Sequence, residues 1–330
     1  MMAALPSNTS RLKNSTDELH SNFIPLYAIL APSILLAVVI LFGNSLVVLS
    51  YKINYRLRTR TNAFLVSLAI SDFLVGGISL PMWIYIILTE FNESHTFKTV
   101  FRIFDVFTAL ASIYHLTAIS IERYIAVSRP FYYKRLTSFF QRAMIASAWI
   151  LAGVLASLSC ITTTTTPLTS RVYSTVLFIG GFTVPVAITA FMYIGVFSVA
   201  RSLLQRNPPR TLSQQSAKSL KEYYQGERKV AITVALITGL FLLAWVPFFT
   251  VSVTAAYCYH CLPSSPDTLI GLVVIVKSVH YLNSAVNPLV YARRNREIRR
   301  TFITLLRLDR GIFHIRAEEH APCGFPLRPT

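Results

Sequence analysis

Four residues of this chain stand at spacings that would place them in pairs on one face of a helix. Asp105 and Arg123 are 18 residues apart, and so are Glu227 and Trp245. Eighteen residues make five turns of an α-helix, roughly 27 Å. An acid and a base at opposite ends of one helix face could form a relay through the membrane along that helix. Arg123 and Glu227 could also pair and separate as a switch between two helices, although two solvated charges are the plainer interpretation.

These residues lie within or at the ends of long apolar segments. The 330-residue chain is 53% hydrophobic and only 14% charged, which is too apolar for the surface of a soluble protein of this size. Seven segments reach the length of about 20 residues that a membrane-spanning helix needs. We number them helix 1 to helix 7, at about residues 24–50, 61–88, 98–127, 140–161, 173–200, 229–257 and 268–291. The sequence therefore predicts an all-α membrane protein, a bundle of seven transmembrane helices.

The net charge of +17 is concentrated on one side of this predicted bundle. Of the 31 Lys and Arg residues, 25 fall in 51–60, 123–142, 201–229 and the segment after 291. The positive-inside rule makes this side cytoplasmic, which puts the amino terminus outside and the carboxyl terminus in the cytoplasm. The three glycosylation sequons, at Asn8, Asn14 and Asn92, then all lie outside. We expect a multi-pass protein of the plasma membrane whose charge reflects its orientation and not a nucleic-acid partner.

Three parts follow from this layout: an extracellular tail over 1–23, the seven-helix domain over 24–292, and a cytoplasmic part over 293–330. The cytoplasmic part begins with an amphipathic pattern in which Ile298, Phe302 and Leu305 or Leu306 share a face among arginines. We expect a short helix here that lies on the inner membrane surface, with membrane lipid as its partner.

The cysteines and histidines give no sign of catalysis. Cys258 and Cys261 stand in the short loop between helices 6 and 7, on the predicted oxidising side, so they could form a small disulfide or remain two thiols. One Cys-x-x-Cys pair is weak evidence for zinc or redox chemistry. The seven His and four Cys are otherwise scattered without ligand spacing, and we expect neither a metal centre nor an enzyme.

An ionisable residue inside a span costs at least about 2.5–3.5 kcal/mol, and three such residues stand out. They are Asp72, Asp105 and His280. Asp72 could form a polar core that holds an ion, such as sodium, or waters, and we expect no other cofactor. Its predicted partners are Asn44 in helix 1 and Asn283, Ser284 and Asn287 in helix 7. A purely structural hydrogen-bond network is the overlapping alternative.

Short motifs occur in order along the spans. They are Gly43-Asn44-Ser45, Leu68-Ala69-Ile70-Ser71-Asp72, Glu122-Arg123-Tyr124, Trp149, Pro185 with Tyr193, the run Phe241 to Phe249 around Trp245 and Pro247, and Asn287-Pro288-Leu289-Val290-Tyr291. Each alone is weak, but together they resemble the rhodopsin-like G-protein-coupled receptors over about residues 24–306. The resemblance implies a receptor with a heterotrimeric G protein as its partner, and with arrestin and receptor kinases as further partners. A transporter or channel is less favoured because the chain shows no internal repeat.

The resemblance also assigns roles in activation. Arg123 would contact the G protein in the active state, Tyr193 and Tyr291 would turn inward to support it, and Pro247 would be the hinge for an outward swing of helix 6. The residues implied in switching and coupling are Glu122, Arg123, Tyr124, Tyr193, Glu227, Pro247, Asn287, Pro288 and Tyr291.

Within the family, the chain resembles the biogenic-amine receptors. Asp105 matches the acid that pairs with a ligand ammonium, and Tyr281 matches a tyrosine that hydrogen-bonds this acid. Trp245, Phe248 and Phe249 match an aromatic floor, although the two phenylalanines could be ordinary core. A buried carboxylate among aromatic faces suits a small cation, so the resemblance implies a small, amine-like extracellular ligand. A receptor for a peptide or a lipid is the alternative.

The chain departs from the amine receptors at two places. Lys277 lies one turn from Tyr281 on the same face and could pair with Asp105, which would favour a zwitterionic or acidic ligand over a simple amine. Lys98 stands where the family places a helix 3 cysteine, and residues 161–172 contain no Cys. The outer loops must therefore be held in another way, or be looser, than in most members of the family.

Overall fold

The computed structural model describes residues 26–162, 167–205, 238–239 and 243–306. Over these residues it is helical and contains no β-strand. Helix 1 is Leu26–Ile53, helix 2 is Arg60–Leu88, helix 3 is His95–Ser128, helix 4 is Ser138–Ser157, helix 5 runs from Pro167 to Gln205, the described part of helix 6 is Leu243–Tyr257, and helix 7 is Pro266–Arg294. Six of these are long and apolar enough to cross a membrane, and the described part of helix 6 is a shorter apolar helix. The predicted all-α fold is confirmed.

Short elements connect the long helices. They are a 3₁₀ turn at Tyr55–Leu57, a helix at Pro130–Arg135 in the second inner loop, a helix at Ser159–Thr162 and a 3₁₀ turn at Tyr259–Cys261. We call the end of the bundle at which helix 3 begins the outer end, following the predicted orientation, and the opposite end the inner end.

Polar residues and prolines set where the helices begin. The Thr59 hydroxyl accepts a hydrogen bond from the Asn62 amide at the start of helix 2, and Ser94 does the same for Phe97 in helix 3, so both act as N-caps. The predicted start of helix 5 at 173 is wrong, because the helix already begins at Pro167. Proline is favoured in the first turn, where its missing N–H has no intrahelical partner, and the polar residues that follow concealed this start.

Helices 2 and 5 each contain a wide, π-helical turn on their outer half. These turns are Val75–Ser79 and Leu177–Thr183, and each comes just before a proline, Pro81 or Pro185. Proline lacks an N–H and clashes with the carbonyl four residues earlier, and a π-helical turn relieves this clash by adding one residue to the turn. The added residue rotates the rest of the helix, and Trp83 of helix 2 lies in the core with 1% of its surface exposed.

The buried side chains form two large apolar clusters, one in the outer half around Ile40, Trp83 and Phe101, the other in the inner half around Leu68, Ile113 and Trp245. Large apolar residues also cover the outside of the bundle, including Leu35, Phe42, Ile150, Phe191 and Leu289. An apolar exterior around polar interior residues is the arrangement that a lipid environment requires.

A final helix, Arg296–Leu306, follows helix 7. Its Ile298 and Phe302 are buried against the inner cluster, whereas Leu306 is exposed. Asn54 at the end of helix 1 donates to the Thr301 hydroxyl at 3.0 Å. This contact and the two apolar side chains hold the helix against the inner end of the bundle.

Candidate functional site

The outer half of the bundle contains a buried ion pair between helices 3 and 7. The Nζ of Lys277 donates a hydrogen bond to Oδ2 of Asp105, and the Tyr281 hydroxyl donates to Oδ1 at 2.9 Å. Asp105 and Lys277 are each only 4% exposed, and Tyr281 is 1% exposed. Lys277 and Tyr281 are one turn apart on helix 7, so they reach the same carboxylate from one face. The structure thus brings together these three predicted site residues.

Four aromatic rings enclose the Lys277 ammonium. Its Nζ lies 5.8, 5.2, 5.2 and 5.4 Å from the ring centroids of Trp83, Phe101, Phe248 and Tyr281. All four distances fall within the roughly 6 Å over which a cation is attracted to a ring face. We call these four residues the aromatic box. Such a box is what a protein uses to bind the ammonium of a ligand, and here the protein's own lysine is inside it.

The predicted aromatic floor is part of a larger cluster that spans helices 5, 6 and 7. Trp245 contacts Phe248 and Phe249 at centroid distances of 5.7 and 6.0 Å. Phe249 stacks on Phe182 of helix 5 at 4.6 Å, with Phe178 next to both. The cluster is therefore larger than the three residues that the sequence indicated.

His280, the third ionisable residue that stands out in the sequence, lies between Trp245 and Tyr281. Its ring is 4.1 Å from Trp245 and 4.8 Å from Tyr281, centroid to centroid. His280 is 2% exposed, and its Nδ1 has no hydrogen-bond partner among the residues that the structure describes. It joins the aromatic floor to the aromatic box as a packed ring.

At the outer end of helix 3, Lys98 contacts the first outer loop. Lys98 donates from Nζ to the Phe91 carbonyl at 2.7 Å, in the loop between helices 2 and 3, and lies 3.9 Å from Glu93. Glu90 and Phe91 have positive φ angles of 50° and 63°, which is uncommon for residues with a side chain. This tight turn packs the Phe91 ring against Trp83 at a centroid distance of 6.1 Å, so the first outer loop closes over the aromatic box.

A second set of contacts links helix 5 to the outer end of helix 6. Arg171 donates to the Ala256 carbonyl at 3.2 Å, and its guanidinium lies 5.9 Å from the Tyr257 ring. The Tyr257 and Thr175 hydroxyls are 2.6 Å apart. The next loop contains a disulfide between Cys258 and Cys261, whose Cα atoms are 5.4 Å apart.

The glycosylation candidates can be placed only in part. Asn92 is exposed in the first outer loop, whereas Asn8 and Asn14 lie outside the described residues.

Deeper in the bundle, Asp72 is the centre of a polar network. Its Oδ1 accepts hydrogen bonds from Ser112 at 3.2 Å and Ser284 at 2.8 Å, and its Oδ2 accepts one from Asn287 at 2.7 Å. Asn44 joins through a hydrogen bond from its Nδ2 to the Ser284 carbonyl at 3.1 Å. The predicted Asn283 is not one of the residues bonded to Asp72, and its Nδ2 is buried without a partner in the described part of the chain.

At the inner end, Arg123 is held by its neighbour in sequence. It donates from Nε to Oε2 of Glu122 at 2.7 Å and from Nη2 to the Thr61 hydroxyl. Oε1 of the same Glu122 accepts hydrogen bonds from Thr61 at 2.9 Å and from the Tyr133 hydroxyl. The predicted partner Glu227 lies outside the described residues. The contacts that the structure describes therefore centre on Glu122.

The loop helix Pro130–Arg135 positions Tyr133 in this cluster. Arg60 at the start of helix 2 donates to the Tyr133 and Leu136 carbonyls at 2.6 and 2.5 Å and lies over the Tyr133 ring at 5.5 Å. Burial, together with the hydrogen bond to Glu122, raises the pKa of Tyr133 to about 12. The phenol keeps its proton at neutral pH and remains a donor to Glu122.

The other predicted switch residues are packed between helices. Tyr193 is buried, and its hydroxyl is 3.2 Å from that of Thr238. Tyr291 is buried, and its hydroxyl has no partner among the residues described. The remaining placements are Tyr124 against Gly195, Pro288 within helix 7 against Gly43, and Pro247 in the described part of helix 6. A Cβ at Gly43 would lie 3.0 Å from Pro288, which gives the helix 1 motif a packing reason.

Comparison with known proteins decides the family. The profile described as 7 transmembrane receptor (rhodopsin family) matches residues 43–291. This chain belongs to the rhodopsin family of seven-transmembrane receptors. It is 32% identical to the histamine H2 receptor of Homo sapiens over 81% of this chain and 77% of that receptor. It is 29% identical to the adenosine receptor A2a of Canis lupus familiaris, over 82% and 70%, and 28% identical to the octopamine receptor beta-2R of Chilo suppressalis, over 82% and 77%.

The predicted family is thus confirmed, and amine receptors are among its relatives. The chain is a multi-pass membrane receptor and not an enzyme. Several residues of this receptor's sites escaped the sequence analysis: Thr61, Trp83, Phe101, Ser112, Tyr133 and Phe182. Trp83 and Phe101 lie in the outer thirds of apolar helices, where an aromatic residue is commonplace, and only the fold shows that they face a cation.

Proposed function

We propose that this receptor binds a small extracellular ligand bearing an ammonium group at Asp105 and in response activates a heterotrimeric G protein. The observation that carries the proposal is the buried Asp105 carboxylate, which accepts a hydrogen bond from Tyr281 and lies beside the aromatic box and floor. A desolvated carboxylate among ring faces attracts a cation strongly. The names of the histamine and octopamine relatives support the same ligand class.

Activation in this proposal releases Arg123 at the inner end. Arg123 is held by Glu122 and Thr61, and it must leave them to contact a G protein. Trp245 is part of the aromatic floor, two residues from Pro247 in helix 6. Ligand contacts at this floor favour an outward swing of helix 6 about Pro247, because a proline interrupts the helix and concentrates bending there.

The proposed orientation places the ligand site at the outside of the plasma membrane. The amino terminus is extracellular and the cytoplasmic side holds most of the Lys and Arg residues. The exposed Asn92, in the loop beside the aromatic box, supports this orientation. Arrestin and receptor kinases are further partners at the cytoplasmic side, and the helix Arg296–Leu306 contacts membrane lipid.

A sodium ion is also part of the proposal. Asp72 and the hydroxyls of Ser112 and Ser284 form a buried, oxygen-rich group of the kind that hard cations favour. The Oδ1 of Asn44 is buried without a partner among the described residues. These residues would hold the ion, which would supply the positive charge that balances Asp72. No group of three or more His, Cys, Asp or Glu in the described residues forms a transition-metal site.

Guanine-nucleotide exchange in membranes from cells that express the receptor tests the proposal. Ammonium-bearing ligands should raise exchange above that of membranes without receptor, and the response should be lost in Asp105→Asn/Lys277→Met but present in Lys277→Met. This pair isolates the Asp105 carboxylate, because neither variant leaves a buried ammonium without its partner. A response only to peptides or lipids, unchanged by Asp105→Asn/Lys277→Met, would refute the ligand class.

A further inference from the structure

The ammonium site of this receptor is filled by its own lysine. The Lys277 Nζ is hydrogen-bonded to Asp105 and enclosed by the aromatic box. We infer that the ligand is a zwitterion with an apolar body, an α-amino acid or a close analogue, and that Lys277 selects it by binding its carboxylate. This inference rests on the proposed function and narrows it.

Charge balance in a buried site distinguishes the ligand classes. A simple amine at Asp105 either displaces Lys277 and leaves a buried ammonium without a partner, or adds a second buried cation to a single carboxylate, and both outcomes are costly. A simple acid that pairs with Lys277 leaves the buried Asp105 carboxylate without a partner. A zwitterion replaces one internal ion pair by two intermolecular pairs, ammonium to Asp105 and carboxylate to Lys277. It alone engages both residues and leaves no charge stranded.

The hydrogen-bonding capacity of the pair agrees with this exchange. An ionised carboxylate has about four acceptor positions, and Asp105 uses positions for Lys277 and Tyr281. An ammonium has three N–H donors, and the described hydrogen bond of the Lys277 ammonium goes to Asp105 alone. Both groups therefore have spare positions for a ligand. The lysine stem is flexible, so the ammonium can move aside while Tyr281 holds the carboxylate.

The rings next to the pair define the body of the ligand. Phe248 belongs both to the aromatic box and to the floor, where it contacts Trp245 and Phe249. The floor continues through Phe182 and Phe178 of helix 5. A side chain that extends from the ion pair toward helix 5 meets aromatic faces, which favour an aromatic or large apolar group. Aromatic α-amino acids combine this body with both charges.

Arg102 is the competing anion site. It lies three residues before Asp105 on helix 3, its Nε is buried, and this nitrogen has no hydrogen-bond partner in the described residues. The ionisable side chain near it is the neutral phenol of Tyr173 in helix 5, whereas Lys277 contacts the Asp105 carboxylate directly. Because the same charge can be removed at either position, Arg102→Met is the matched control for Lys277→Met.

The test compares amino acids with the amines that differ from them by one carboxylate. Phenylalanine and phenethylamine, tyrosine and tyramine, histidine and histamine, and leucine and isopentylamine are applied to membranes carrying wild type, Lys277→Met or Arg102→Met, and nucleotide exchange is measured. In the wild type, at least one amino acid should be about a hundredfold more potent than its amine. Lys277→Met should reverse this preference, and Arg102→Met should retain it.

Three results would overturn the inference: a wild-type preference for the amine in every responding pair, a wild type that responds to none of the amino acids, or a preference abolished by Arg102→Met and not by Lys277→Met. Failure of the proposed function looks different. Glu122→Gln should raise basal exchange by loosening Arg123, and if neither this variant nor the wild type exceeds membranes without receptor, G-protein coupling itself is refuted. Surface labelling of each variant shows that it reaches the membrane.

Discussion

The buried pair between Asp105 and Lys277 makes a quantitative prediction about stability. Both residues are 4% exposed, so removing either charge leaves the other desolvated and without its partner. Losing one partner of a buried pair costs about 3–5 kcal/mol, whereas replacing both by well-packed neutral groups is often neutral. We therefore expect Asp105→Asn and Lys277→Met each to lower the free energy of unfolding by this amount. The double variant should be close to the wild type.

Thermal unfolding of the detergent-solubilised receptor, followed by ligand-independent fluorescence, measures this effect. A loss of 1 kcal/mol lowers the Tm of a chain of 150–250 residues by about 2–4 °C, so each single variant should unfold roughly 10 °C earlier. The coupling energy between the two sites should exceed about 2 kcal/mol, since residues in one ion pair are not additive. Lys98→Met is the matched control, because its side chain is 31% exposed and its ion pair spans 3.9 Å. Additive losses in the double variant would refute the argument.

Three further predictions follow from other contacts. Tyr133→Phe removes a hydrogen bond to Glu122, and basal nucleotide exchange at matched surface expression should rise severalfold; an unchanged rate would show that this contact does not restrain Arg123. Gly43→Val places a side chain against Pro288, within 3.0 Å at Cβ, and should lower stability by about 1–3 kcal/mol as overpacking does; Gly271→Val, where no atom lies within 4 Å, is the control for thermal unfolding. Asn92→Gln should remove one glycan, so the untreated variant should migrate faster on a gel than the untreated wild type, and deglycosidase treatment should abolish this difference. Equal mobility of the two untreated proteins would contradict glycosylation at Asn92.

The ordered motifs were enough to predict the helices and the family, because each span contains about 20 apolar residues and its own landmark. The approach of Lys277 to Asp105 was also predictable, since Lys277 lies one turn from Tyr281 and the family places this tyrosine beside the acid. Once the direction of Tyr281 on helix 7 is known, helical periodicity alone gives the direction of Lys277 one turn away.

Two residues of the aromatic box, Trp83 and Phe101, could not be predicted in this way. Trp83 follows the π-helical turn Val75–Ser79, which inserts one residue and rotates everything beyond it. Regular periodicity places Trp83, eleven residues after Asp72, in nearly the same direction as Asp72, whereas the inserted residue turns it away from that direction by roughly 100°. Phe101 faces the ammonium in the first turns of helix 3, and its position relative to helix 7 depends on the path of the first outer loop, which has no periodic pattern.

The inner cluster shows a second limit. The pair between Arg123 and Glu227 stays a prediction, because Glu227 lies outside the described residues, but the contacts of Arg123 with Glu122 and Thr61 were not predicted. Thr61 and Tyr133 are uncharged, so no charge pattern in the sequence indicates that they belong to this cluster. Tyr133 reaches Glu122 only because the loop helix Pro130–Arg135 packs against Arg60, and such a contact between distant segments leaves no periodic signal in the sequence.

The central claim is that a small ammonium-bearing ligand acts through Asp105 to activate a G protein. Its most direct test is nucleotide exchange on a purified heterotrimeric G protein by the receptor in lipid nanodiscs, titrated with the matched amino acids and amines. The account predicts ligand-dependent exchange in the wild type that Asp105→Asn/Lys277→Met abolishes and Lys98→Met preserves. Equal ligand-dependent exchange by wild type and Asp105→Asn/Lys277→Met would contradict it.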